Sequence, residues 1–231
     1  RAGPMLAAAE DLVQAAQGAG RPLAGRFRLG VIPTIAPFLL PRALPVIRAR
    51  FPELKLYLRE DLTPRLITAL KNGSLDAALI ALPYDMAGLD YAHVEHDELL
   101  AATPSGHPLA RNRRVDLDGL VADDLILLED GHCLRDHALA ACGVVLPARP
   151  PGEEGGFAAT SLPTLVQMVG SGLGVSFLPA MAVDAGLADQ ADIAVRPLAA
   201  DHPSREIVVA WRKGSSRAAE GALLAEALRK K

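Results

Sequence analysis

Hydrophobic and polar positions change period several times along the chain, and each change marks an element. Met5 to Gln17 is Ala-rich with Leu6, Leu12 and Val13 at helical spacing, and Gly18-Ala19-Gly20-Arg21-Pro22 ends it, as the tail of a helix that begins upstream. Phe27 to Ile32 alternates as a strand, and Thr34 to Arg50 follows as a helix with Leu39, Leu40, Leu44, Val46 and Ile47 on its apolar face and Pro45 as a candidate kink. Leu54 to Arg59 reads as a second strand, Pro64 to Asn72 as a helix ended by Gly73, and Leu75 to Leu82 as a buried strand. This β-α-β-α-β order predicts a mostly parallel sheet with helices on its faces. Ligands of such sheets bind beyond the carboxyl ends of the strands. Thr34 and Thr63 follow the first two strands and fall at that edge, where they also suit helix capping.

The pattern then repeats. Leu99 to Thr103 and Asp124 to Leu128 read as strands, with a short element from Val115 to Leu120 between them. Glu129 to Gly143 reads as a capped helix, and an irregular stretch with Pro147, Pro150, Pro151 and Gly152-Glu153-Glu154-Gly155-Gly156 follows. Phe157 to Ala159 is a short strand, and Ser161 caps a helix through Val169 with Pro163 tolerated in its first turn. Gly172 to Pro179 turns into another strand, Ile193 to Leu198 and Glu206 to Trp211 are strands, and Ala218 to Arg229 is an amphipathic terminal helix. The expected fold class is α/β with two Rossmann-like lobes and a cleft between them. Residues 25–98 and 201–231 form lobe I, residues 99–200 form lobe II, and residues 1–24 precede both.

Composition narrows the function classes. At 231 residues and 50% hydrophobic content the chain can bury a large core. Lys plus Arg is 24 against 27 for Asp plus Glu, a net charge of -3, so this chain lacks the basic excess of a domain that grips a phosphate backbone. Leu165 to Val183 is the most apolar stretch, and Gln167, Gly170, Ser171, Gly172, Gly174, Ser176 and Pro179 interrupt it, which excludes a membrane span there. Arg1 to Gln17 carries Glu10 and Asp11 and no compact apolar stretch before a cleavage site, so no signal peptide is expected. The expected location is the cytoplasm, where a cysteine pair is more often redox-active or metal-binding than a structural staple.

Cys133 and Cys142 are the only cysteines, and both fall in the segment read as a helix. Nine helical steps span about 13.5 Å and leave the two side chains on opposite faces. A disulfide needs Cα atoms within about 7 Å, so bonding this pair requires the helix to come apart. Reduced and bonded states would then be different local folds, as a redox switch requires. A metal reading is weaker. Cys133 and His137 share a face at i, i+4, but neighbouring His132 projects in another direction and Cys142 lies on the other face, so no metal or other cofactor is expected. His93, His96, His107 and His202 lie in polar contexts and read as surface residues.

These residues carry a resemblance. Gly30-Val31-Ile32-Pro33-Thr34-Ile35-Ala36-Pro37-Phe38-Leu39-Leu40-Pro41, Phe51-Pro52, Gly73-Ser74-Leu75-Asp76-Ala77-Ala78-Leu79, Ala159-Thr160-Ser161-Leu162-Pro163-Thr164-Leu165-Val166 and Gly172-Leu173-Gly174-Val175 together resemble the effector domain of LysR-type transcription regulators. The discriminating motif is Leu128-Glu129-Asp130-Gly131-His132-Cys133-Leu134-Arg135-Asp136 followed by Cys142, which resembles the OxyR group of hydrogen peroxide sensors. The resemblance implies a fold like that of type II periplasmic binding proteins and a regulatory rather than enzymatic role. It implies residues 1–24 as the end of a linker helix, and an N-terminal winged helix-turn-helix, absent from this chain, that binds promoter DNA. Partners implied are hydrogen peroxide, further copies in a homodimer or homotetramer, and RNA polymerase.

Site roles follow from the same resemblance. Cys133 matches the peroxide-reactive (peroxidatic) cysteine and Cys142 the resolving one. Thr34, Thr63, His132, Asp136 and Arg205 match positions around the peroxide, and Thr160 and Ser161 are weaker candidates at a cleft where relatives bind small anions. The position of Cys133 in a first helical turn suits a thiolate. The runner-up function is a LysR-type domain that binds a metabolite between its lobes, and a thiol peroxidase is third.

Overall fold

The structure, a computed structural model, describes residues 23–116, 125–141, 158–199 and 203–229. The expected helix of Met5 to Gln17, most of the element after Val115, Cys142, the Pro- and Gly-rich stretch and His202 lie outside the described residues. In chain order the first elements are β1 (Gly25–Val31), α1 (Ala36–Arg50), β2 (Leu54–Glu60), α2 (Thr63–Lys71), β3 (Ala77–Leu82) and β4 (Leu89–Pro104). Then come β5 (Leu127–Leu128), α3 (Cys133–Ala141), β6 (Ala158–Ala159), α4 (Leu162–Gly170), β7 (Ser176–Pro179), α5 (Ala180–Asp184), β8 (Ile193–Pro197), β9 (Ser204–Arg212) and α6 (Ala218–Leu228). The chain divides into two compact units, one of Arg1–His96 with Glu206–Lys231 and one of Asp97–Arg205.

In the first unit the sheet order is β2-β1-β3-β9. β1 runs parallel to both β2 and β3, while β9 is antiparallel to β3, with Ile80 opposite Val208. The sheet is thus mostly parallel, as expected, and β9 is antiparallel because it re-enters from the other unit instead of following a β-α crossover. β3 lies between two neighbours, and Ala77 to Ala81 are all buried, as expected for an interior strand with both faces covered. Gly30 on β1 lets α2 approach the sheet. A Cβ there would meet Leu66 Cδ2 at 2.6 Å and Leu75 Cδ1 at 2.7 Å. Pro41 and Pro45 both lie within α1 at exposed positions, and each leaves the carbonyl four residues upstream without its helical N–H donor.

In the second unit, β4 pairs antiparallel with β7 and β8, so Leu100 sits opposite both Leu178 and Pro197. β5 and β6 are parallel, with Leu127 opposite Ala158 and Leu128 opposite Ala159. The Leu125–Val175 bridge, the Ile126 N–H bond to Val175 O at 2.8 Å and the Ser176 Oγ bond to Ile126 O at 2.7 Å fix this short pair beside β7. Two consequences bear on function: β1 and β2 end side by side, and β5 leads straight into α3.

Candidate functional site around Cys133

The segment from Leu128 to Asp136 is pinned on both sides of its turn. Glu129 N–H donates to Ala159 O at 3.0 Å, extending the β5–β6 ladder by one bond. Gly131 then turns at φ 94°, a conformation that strains any residue with a Cβ. From the helix, Arg135 reaches back: Nη1 donates to Leu128 O at 3.1 Å and Nε pairs with Asp130 Oδ1 at 2.9 Å. The result is a closed loop that delivers His132 and Cys133 to the start of α3.

Cys133 is the first residue of α3 and only 4% exposed. Cys133, Leu134, His137 and Ala138 form the buried stripe, and the helix packs on β5. Unsatisfied N–H groups of a first helical turn favour a thiolate over a thiol. His132 is buried, and burial lowers its imidazole pKa against the opposing pull of Glu129, so the neutral ring, one donor and one acceptor, is favoured. Asp136 is exposed at its backbone turn, yet partial desolvation raises its carboxyl pKa; Arg135 opposes the rise and Asp130 adds to it.

Thr34 and Thr63 lie in the first unit. Asp61 N–H donates to Val31 O at 3.2 Å, tying together the chain ends that emerge from β2 and β1 next to the two threonines. Neither is a cap. The N-cap residues are Ile35 and Leu62, without side-chain capping bonds, and Thr63 is already the first residue of α2. Both threonines are buried, and Thr63 Oγ1 has no hydrogen-bond partner among the described residues although Thr63 is 1% exposed. A buried hydroxyl left that way costs stability, and a polar ligand would recover the loss.

Arg205 belongs to the second unit and is 0% exposed, unlike a solvated charge at a strand start. Its Nε and Nη2 donate to Asp97 Oδ2 at 3.0 and 2.9 Å, and Asp97 Oδ1 accepts Met181 N–H at 2.9 Å. Ser161 is the N-cap of α4, its Oγ accepting from Thr164 N–H at 3.3 Å, and Thr160 is exposed beside it. His93 pairs with Glu206 at 3.0 Å, His96 packs near it at 4.8 Å between ring centroids, and His107 caps the 3-10 turn at Pro108–Arg111. Among the described residues, no group of three or more His, Cys, Asp and Glu side chains is arranged to hold a metal ion. No helix among them is long and apolar enough to cross a membrane.

One residue escaped the sequence reading and another was weighed there without being given a role. Asp97 carries no local signal, being one acid in the polar run from His93 to Glu98, and its partner lies 108 positions away. His137 had a signal, its i, i+4 spacing from Cys133, but only the structure shows it buried at 7% exposure.

The profile of the LysR substrate binding domain matches residues 20–231. The chain belongs to that family. It is 42% identical over 210 residues to a probable hydrogen peroxide-inducible genes activator of Mycobacterium avium, covering 91% of this chain and 66% of the relative. The reduced regulatory domain of OxyR2 from Vibrio vulnificus superposes with a TM-score of 0.80 at 40% identity, covering 90% of this chain and 95% of that one. A peroxide-bound cysteine mutant of Corynebacterium glutamicum OxyR gives 0.84 at 32% identity, covering 98% and 70%. The chain spans about two thirds of the length of the curated relatives it matches. This LysR-type regulatory domain is therefore OxyR-like, with the mixed α/β fold of those domains, and is not an enzyme.

Proposed function

We propose that this domain senses hydrogen peroxide through Cys133 and locks the signal as a disulfide with Cys142. The observation that carries the reading is a buried cysteine at the first position of α3, delivered by a pinned loop beside the buried His132. In the first step the Cys133 thiolate attacks one peroxide oxygen, the O–O bond breaks, and the departing hydroxide takes a proton to become water. Sulfur is oxidised by two electrons to a sulfenic acid. In the second step Cys142 attacks that sulfur and a second water leaves.

His132 supplies a hydrogen bond to the departing oxygen, Asp136 a carboxyl that exchanges protons, and Arg205 a buried cation. Thr34 and Thr63 supply hydroxyls that both donate to and accept from peroxide oxygens. Thr160 and Ser161 remain secondary, since Ser161 already serves as a cap. In the whole regulator this domain would act in the cytoplasm as a homodimer or homotetramer, pass its state to a promoter-bound winged helix-turn-helix outside this chain, and alter engagement of RNA polymerase at antioxidant genes.

Helix geometry supports the switch. Ala141 ends α3 about 12 Å along the axis from Cys133, and successive Cα atoms are about 3.8 Å apart. While α3 is intact, the next residue stays beyond the roughly 7 Å reach of a disulfide. Titrating reduced protein with peroxide and counting thiols tests the proposal. Both thiols should disappear at about one equivalent, Cys142→Ser should stop at the sulfenic acid, and Thr63→Val should slow the reaction without loss of stability. Two thiols that persist would sink the proposal in favour of metabolite sensing.

A further inference from the structure

We propose that His137 is the proton partner of Cys133, a role additional to that of His132. The proposal rests on the reading of Cys133 as the peroxide-reactive thiol. His137 follows Cys133 by four residues in α3, which places the two Cβ atoms roughly 5–6 Å apart on one face. Helical side chains lean toward the N-terminus, so the ring of His137 leans over the turn that carries Cys133. Both residues are at least nine-tenths buried. Neither ion is well solvated alone in that setting, whereas a thiolate and an imidazolium one turn apart offset each other.

Among the described residues, the charged groups on and next to this helix are arranged differently. Arg135 is turned back onto Asp130 and Leu128 O, Asp136 is exposed, and Glu129 precedes the turn. β5, the strand packed against α3, is Leu127–Leu128 and carries no charge. His137 is thus the titratable side chain that shares the buried stripe of α3 with Cys133.

The step balances. The imidazole takes the thiol proton, the thiolate forms an S–O bond as the peroxide O–O bond breaks, and the imidazolium returns the proton to the departing hydroxide. A thiol and peroxide become a sulfenic acid and water, and the ring ends neutral.

The test uses a Cys142→Ser background, which leaves Cys133 as the only thiol in the chain. Thiolate ultraviolet absorbance is followed against pH with and without His137→Gln. The substitution should raise the thiolate midpoint by about one pH unit or more and slow peroxide oxidation about tenfold near pH 6, with the two rates converging by about pH 9. An unchanged midpoint overturns the proposal, because a histidine that only fills space would alter melting temperature and not thiol ionisation. Should His137→Gln not fold, histidine NMR titration of the native chain and of Cys133→Ser decides: a lower His137 midpoint in the serine variant supports the pair, and identical midpoints overturn it. A native chain that keeps both thiols at one peroxide equivalent removes the sensing reading alone, since the ionisation titration still judges His137.

Discussion

His132 shows how one residue ties stability to the proposed chemistry. Burial lowers its pKa in the folded chain, with Glu129 opposing. As pH falls through the ordinary histidine range, the unfolded chain takes up a proton that the folded chain refuses. Stability therefore falls with pH in that window, and the loss is complete once the folded imidazole also protonates. Asp136 has the reverse sign. Its carboxyl pKa is raised by desolvation despite Arg135, so in the carboxylate range stability falls as pH rises. Urea midpoints across pH should separate them: His132→Asn should flatten the decline between about pH 7 and about pH 5, while Asp136→Asn should act only at lower pH. An acid limb that His132→Asn leaves untouched would mean that the ring is not held neutral by burial. In the proposed reaction a ring kept neutral by burial would be a single donor to a peroxide oxygen.

At the scale of elements, α3 joins structure to signal. As an unbroken helix its nine residues set Cys133 and Ala141 about 12 Å apart along the axis, so the proposed disulfide should abolish amide protection across Cys133–Ala141. Hydrogen exchange on reduced and oxidised protein checks this, and equal protection in both states would rule out the helix as the switch. This helix was legible in the sequence because the capped pattern and the Cys133 motif agree. β1, β2 and α2 were legible too, each within two residues, since their apolar periods are uninterrupted. β4 was not. Only the short apolar run Leu99 to Thr103 reads as a strand, yet the strand runs Leu89–Pro104 through His93, Glu95, His96, Asp97 and Glu98. A charged residue such as Asp97 reads as surface until a partner distant in sequence neutralises it. α5 was missed because five residues after Pro179 are too few to show a helical period. Thr34 and Thr63 were legible as edge residues, but that neither is a helix cap depended on backbone detail one residue away.

For the whole molecule, β4 and β9 carry the chain between the units, and the second unit begins and ends on one ion pair, Asp97 with Arg205. The pair also holds Met181 N–H, so a single carboxylate gathers the start of α5 and both crossing strands. Removing the acid takes from a fully buried guanidinium its carboxylate partner. Asp97→Ala should cost about 3–5 kcal/mol in urea unfolding, whereas replacing both partners with apolar residues of similar volume should recover most of that loss. The double variant, Asp97→Leu with Arg205→Met, separates the pair's two roles. If Arg205 supplies charge to the reaction, the double variant should fold near native stability yet react with peroxide about a hundredfold or more slowly, the usual cost of losing one aligned donor where charge develops. Stopped-flow peroxide oxidation alongside urea titration reads both quantities on one sample. Recovery of stability together with the native peroxide rate would leave Arg205 a purely structural cation and remove it from the proposed peroxide site.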